Sequence, residues 1–163
     1  MPPAKDPTCF LAKYEQGLLD ELRGITSTLS GGHRGEDYNR LILPRSQGFV
    51  EAIGYRIAYE AAIEAGVHPD LVGLFEIWVM IQDLSWFVQH GGVNREQIFQ
   101  MEAERISAVL PRLNALLDAT GAEPYCTAPI ISQSSWEHFV DHLETKTGSA
   151  TTNIGLLRRG AML

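Results

Sequence analysis

No stretch of this chain approaches the ~20 consecutive apolar residues that carry a helix across a bilayer. Its start, MPPAKDPTCF, lacks the basic region and apolar core of a secretion signal, and its end, RRGAML, is not a peroxisomal address. A cytoplasmic location is the expectation. Cysteine is scarce: Cys9 and Cys126 lie far apart and outside any metal-ligand spacing, so both are expected to be free thiols in a reducing compartment. Positive charge is short as well. Thirteen Lys and Arg against twenty Asp and Glu give a net charge of -7, with no basic cluster beyond Arg158-Arg159. Phosphate contacts need clustered cations, so nucleic acid and anionic membranes are not expected partners. The chain has no internal repeat, no strand-like alternation, no Gly-x-Gly-x-x-Gly and no cysteine beside a histidine in a catalytic motif. The glycine-rich GGHRGED at 31–37 follows no strand and lacks a Gly-Lys-Ser/Thr ending, which makes it a poor phosphate cradle.

What the chain does have is helical periodicity. With 163 residues and 45% hydrophobic content it reads as one domain, able to remove roughly 70% of its unfolded surface from water. Over 9–29, Phe10, Tyr14, Leu18, Leu22, Ile25 and Leu29 recur three or four apart, the mark of an amphipathic helix. Residues 36–46 read as a linker ending at Pro44. A second helix is expected over 46–65, with Phe49, Ile53, Ile57 and Ala61 on its inner face and small residues elsewhere that admit a close neighbour. The third, 69–90, is apolar nearly all round and so expected to be buried on most sides. Asn94 and Gln97 have capping-box spacing for a fourth helix over 95–119, kinked at Pro111, with Ile98, Met101, Ile106, Val109, Leu113, Leu116 and Leu117 inward. An extended stretch held by Pro124 and Pro129 follows. A short helix over 135–145 is capped by Ser134 or Ser135 and turns Trp136, Phe139, Val140 and Leu143 inward. From 147 onward a polar tail is expected to be flexible. Four main helices plus a short C-terminal one predict an all-α, antiparallel helical bundle spanning 1–146.

The segment LVGLFEIWVMIQDLSWFVQHGGVNREQ resembles a stretch of acyl-CoA oxidases: an apolar helix, an acidic residue (Asp83), an aromatic pair (Trp86-Phe87), a Gly turn and a new helix. Further on, Pro111, the run Leu113–Asp118, Gly121 and Ala128-Pro129-Ile130 are similar to the closing pattern of the same family. The resemblance is to the C-terminal helical domain of those enzymes as a stand-alone chain, and is clearest over 47–143. It implies a helical fold and an assembly role, with a second copy or an acyl-CoA dehydrogenase-like flavoprotein as partner. It carries no catalytic motif, so no active-site residue transfers, and any FAD would come through the partner subunit. No cofactor of the chain's own is expected.

Some residues nevertheless suggest chemistry. Glu76, Asp83 and His90 recur every seven residues on an apolar element, and a buried acid there could act as a general acid. The competing reading pairs Asp83 with Arg56 on the neighbouring helix, as buried charges require. Tyr55, Tyr59, Trp78 and Trp86 could line a pocket between the second and third helices, or fill the core. His138 and His142 stand four apart, a spacing that can hold a metal ion, but they lack a third ligand and the His-Glu-x-x-His signature. Two functions therefore follow from the sequence. One is an assembly subunit for an acyl-CoA dehydrogenase- or oxidase-type flavoenzyme. The other is a small helical enzyme doing acid/base chemistry (dehydration, isomerisation or cyclisation) on an acyl or polyketide-like substrate, with Asp83 and Glu76 as catalytic groups.

Overall fold

The computed structural model describes residues 2–31, 33, 35–126, 128–144 and 148, with the backbone alone at Glu123 and Ile131. It is all-helical, and no strand occurs among the described residues. The chain falls into two compact units, residues 1–114 and 115–163. The tail expected from 147 lies outside the described residues, apart from Gly148.

The first unit holds α1 (Phe10–Thr28), α2 (Glu36–Leu41), α3 (Leu43–Glu64), α4 (Pro69–Gln82), α5 (Leu84–His90) and α6 (Arg95–Val109). Helix α1 follows its periodicity: Tyr14 is buried, and Phe10, Leu18, Leu22, Ile25 and Leu29 are half-buried along the same side. The expected linker over 36–46 is instead α2 and the first turn of α3. Pro44 begins a helix there rather than ending one, because the N–H it lacks has no intrahelical partner in a first turn. Gly66, at φ 71, reverses the chain after α3.

The expected third helix is two. It breaks at Asp83 (φ -130, ψ 60), and α4 and α5 meet at a 95° bend. No single described helix is long and apolar enough to cross a membrane. The bend explains how a run apolar all round finds enough cover. Helix α4 packs chiefly on α6 and also on α3, whereas α5 turns so that Trp86 and Phe87 meet Tyr14 of α1. The core of this unit gathers Leu11, Tyr14, Ala52, Ile77, Val79, Met80, Phe87 and Ile98.

Two inner faces differ from expectation. On α3 the buried residues are Ala52 and Arg56, with Tyr55 and Tyr59 beside them; of the expected inner residues Phe49 and Ile53 are half-buried, while Ile57 and Ala61 point outward. Ala52, with its small side chain fully buried, lies where α1 and α3 pack, so the close approach falls on one alanine rather than on a large apolar stripe. On α6 the Asn94–Gln97 capping box forms as predicted, and Ile98 and Val109 are buried, but Ile106 is exposed. At Pro111 the helix passes into a 3₁₀ turn (Leu110–Arg112) and then α7 (Leu113–Ala119), on which Leu113 and Leu117 are exposed rather than inward.

In the second unit the expected extended stretch contains 3₁₀ turns at Glu123–Tyr125 and Pro129–Ile131. Helix α8 (Gln133–Asp141) starts two residues early, capped by Ser132, whose hydroxyl accepts the Ser135 N–H at 3.2 Å. Trp136, Phe139, Val140 and Leu143 are exposed, not turned into a core.

Candidate functional site

Arg56 is the centre of the first unit's polar chemistry. Its side chain is fully buried and forms an ion pair through Nε with Glu15 of α1, reinforced by Nη2 to Glu15 Oε1 at 3.4 Å. Nη1 donates to Glu60 Oε2 at 2.9 Å, and Nη2 donates to the Pro2 carbonyl at 3.1 Å. The hydrogen bond to Glu15 is the main reason the guanidinium is held above its ordinary pKa. The predicted partner was Asp83. The inward reach of Arg56 is as expected, but its partners are Glu15 and Glu60. Glu60 also accepts the Lys5 N–H at 2.9 Å, so residues 2–5 are strapped across α1 and α3.

Asp83 serves the bend. Oδ1 accepts the Trp86 N–H at 3.2 Å and the Ser85 hydroxyl at 2.8 Å, capping α5. Oδ2 accepts the Tyr14 hydroxyl at 3.1 Å. Burial, and next the adjacent Asp83 charge, push the Tyr14 phenol above its usual range. Glu76 is half-buried on α4, and desolvation raises its carboxyl above 4.5. The Phe10 N–H at the start of α1 opposes that shift, as does the charge of Arg105. Nearby, the Cys9 sulfur caps α1 by accepting the Ala12 N–H at 3.4 Å, and burial raises its thiol pKa. Cys9 and Cys126 are both free. Burial likewise raises Tyr59, with the Glu76 charge adding to it.

The four aromatic candidates occupy three places. Tyr55 and Trp78 meet edge to face at 5.6 Å, with Phe75 stacked on Trp78 at 5.9 Å, and Trp78 reaches the surface. Tyr59 lies beside Cys9 and Glu76. Trp86 packs against Tyr14 at 5.0 Å and covers Gly17, where an added Cβ would come within 2.4 Å of the indole. Trp86 and His90 line an open groove of about 880 Å³ together with residues of α1 and with Pro2, Pro3 and Pro7. Around it stand Lys13, Gln16, Asp20 and Glu21.

Compared with protein-family models, with curated proteins and with solved structures, the chain finds no match. The site is therefore read from its own geometry. Of the candidate acids, Asp83 accepts hydrogen bonds from the start of α5 and from the Tyr14 hydroxyl, and Glu76 faces the first turn of α1. Neither lines the groove beside Trp86. Sequence reading missed Glu15, Glu60 and Tyr14, the groups that satisfy Arg56 and Asp83. Glu15 follows Tyr14 directly on a helix whose inner face was already legible, and a carboxylate on the edge of that face is the signal that could have found it.

In the second unit the rings of His138 and His142 lie 3.9 Å apart, beside a shallow cavity of about 460 Å³ that Cys126 also lines. His142 Nδ1 is 2.7 Å from the His138 carbonyl. Among the described residues no group of three or more His, Cys, Asp or Glu side chains is placed to hold a metal ion.

Proposed function

We propose that this chain is an assembly subunit: an antiparallel bundle of four main helices, cytoplasmic, that docks on an acyl-CoA dehydrogenase- or oxidase-type flavoprotein in acyl-chain metabolism. The observation that carries this reading is the quantity of large apolar surface left outside. Leu43, Val50, Ile57, Trp78, Ile106 and Leu110 are all exposed. Large apolar side chains left exposed in number mark interaction sites where they gather into patches. The conspicuous acids support the same reading, because each is engaged in a bond between elements. The resemblance of 71–130 to the oxidase C-terminal domain supplies the identity of the partner. Any FAD belongs to that partner.

Mixing the purified chain with an acyl-CoA dehydrogenase-type flavoprotein encoded beside it tests the reading. Co-elution on gel filtration and a raised melting temperature of the flavoprotein are the expected results. A chain that elutes alone and leaves the flavoprotein's stability and activity unchanged refutes it.

The enzymatic reading draws on one observation, the desolvated carboxyl of Glu76 beside Tyr59. Under it Glu76 and Asp83 transfer protons on an acyl or polyketide-like substrate. A folded Asp83→Asn protein without turnover of a substrate that the wild type converts would favour it.

A further inference from the structure

A second, smaller cavity of about 250 Å³ is lined by residues of α1, α3 and the α4–α5 bend. Tyr14, only 6% exposed, faces it together with Asp83, and Arg45 and Glu21 stand about half exposed beside them. Leu18 and Leu22 of α1 supply apolar wall. Gly48 of α3 also lines the space, and a Cβ built on it would meet nothing within 4 Å. Both signs of charge reach this cavity, and neither is fully answered within the chain. Among the described residues Asp83 has no ion-pair partner. Its bonds come from neutral donors: the Tyr14 hydroxyl at 3.1 Å, the Ser85 hydroxyl at 2.8 Å and the Trp86 N–H at 3.2 Å. A carboxylate held partly out of water without a cation is costly, and a cationic ligand relieves that cost.

The guanidinium of Arg45 is the complementary group. Its Nη1 donates to the Leu41 carbonyl at 2.8 Å, but Nε meets Glu21 Oε1 only at 3.5 Å, in a half-exposed pair that holds it weakly. Nη2 makes no bond among the described residues, so donors remain for an acceptor from outside. Arg45 also lies in the first turn of the 22-residue α3, whose positive end adds to its pull on negative charge. We propose that this cavity binds a small aliphatic amino acid as its zwitterion. The α-carboxylate sits on Arg45, the α-ammonium on Asp83, and the side chain against Leu18 and Leu22. A ligand of single charge answers only half of the site. A plain amine leaves the Arg45 donors unused, and a plain carboxylate brings its charge beside Asp83 and Glu21 with no cation of its own. Volume sets the size, since the cavity falls below the ~300–1,000 Å³ of pockets for drug-sized ligands. This inference goes beyond the assembly reading and does not rest on it.

Titration of the full chain with L-valine, followed by two-dimensional amide NMR, is the direct test. Saturable shifts are expected at Tyr14, Arg45, Gly48 and Trp86, together with a raised melting temperature. Isobutylamine and isovalerate are valine without its carboxylate and without its ammonium, and each should bind about tenfold or more weakly. Asp83→Asn, which keeps the cap of α5, and Arg45→Gln should each weaken valine binding by about tenfold or more. Gly48→Leu should fill the cavity and abolish binding with an unchanged circular-dichroism spectrum. No saturable shift with valine, or an amine or carboxylate that binds as tightly, overturns the proposal. So does undiminished binding by Arg45→Gln or by a folded Gly48→Leu, or a set of shifts gathered on residues 2–7 and His90 instead. The ligand series needs no variant, so it decides the matter even where a substitution prevents folding. A chain that binds no valine yet co-elutes with the flavoprotein refutes this site alone and leaves the assembly reading standing.

Discussion

Arg56→Met is the substitution on which the polar reading of the first unit can be tested most sharply. The arginine side chain is 0% exposed, and its partners Glu15 and Glu60 are 9% and 12% exposed. Methionine fills similar volume without the charge. It leaves two carboxylates facing each other with no cation between them, and the Pro2 carbonyl loses its donor. Breaking a buried pair from one side costs roughly 3–5 kcal/mol, because the abandoned charge stays out of water. That is a large share of the roughly 5–15 kcal/mol that holds a domain folded. At about 2–4 °C per kcal/mol for a chain of this length, the melting temperature falls by about 6–20 °C.

Because the chain has two compact units, the measurement should follow the first alone. A Trp136→Phe background removes the indole of α8 and leaves Trp78 and Trp86 as reporters within 1–114. Urea titration by fluorescence then gives the stability of that unit. The triple variant Glu15→Gln/Arg56→Met/Glu60→Gln removes the charge from every member and should recover most of the loss, with Glu15→Gln/Arg56→Met recovering part of it, since a neutral set is close to even with a buried ion pair. A loss under about 1 kcal/mol for Arg56→Met, the size of an exposed pair, would refute the network. So would a double variant no more stable than the single one.

Gly17→Ala forces a methyl to within 2.4 Å of the Trp86 indole, so it should destabilise by about 1–3 kcal/mol and shift tryptophan emission. Tyr14→Phe removes the hydrogen bond to Asp83 and should cost about 1.5–3 kcal/mol by urea titration, the range for a bond to a charged group. Asp83→Asn keeps a good cap for α5, whereas Asp83→Ala loses it, and the difference between them should be about 1 kcal/mol. Glu76 has a raised folded pKa, so its contribution favours folding below about 4.5 and is lost as pH rises through the folded value. Glu76→Gln should therefore melt higher than the wild type at neutral pH, with the gap closing below about 4.5. A constant gap across that range would sink the assignment.

Much of the first unit was legible because its signals are local. The six-residue stripe of α1 needs only a 3.6-residue period, and the Asn94–Gln97 box and the Gly66 reversal are single-position chemistry. The reading failed where a decision was tertiary. LVGLFEIWVMIQDLSWFV has no proline or glycine after Gly73, and its one local break signal is Asp83 itself, an N-cap residue type whose Oδ1 takes the Trp86 N–H. The bond that Oδ2 accepts from Tyr14 of α1, sixty-nine residues away in sequence, is tertiary and has no local mark. Helix α3 misled for a related reason. Its inner face is marked by an alanine and an arginine, which a hydrophobic count scores as neutral or outward. Of the residues expected inward, Phe49 and Ile53 are half-buried, but Ile57 turns outward with Leu43 and Val50.

That inversion on α3 connects the fold to the proposed role. A helix whose fully buried side is one small residue and one arginine, and whose far side repeats Leu, Val and Ile at seven-residue intervals, leaves three of its larger aliphatic side chains facing away from its own core. Keeping the aliphatics exposed while desolvating a charge is costly for an isolated domain and favours no local packing. It becomes economical once another helix covers the outer stripe, because the buried arginine then fixes which side faces in, and the seam is presented in one register. A leucine at position 56 would remove that constraint and let α3 rotate its aliphatic stripe toward the core. Arg56→Leu should then weaken binding to the flavoprotein through a face it does not touch, a coupling that gel filtration of Arg56→Leu beside Val50→Asp/Ile57→Asp, each mixed with the flavoprotein, would reveal. An Arg56→Leu protein that folds and binds the flavoprotein like the wild type would break the link between the buried pair and the surface.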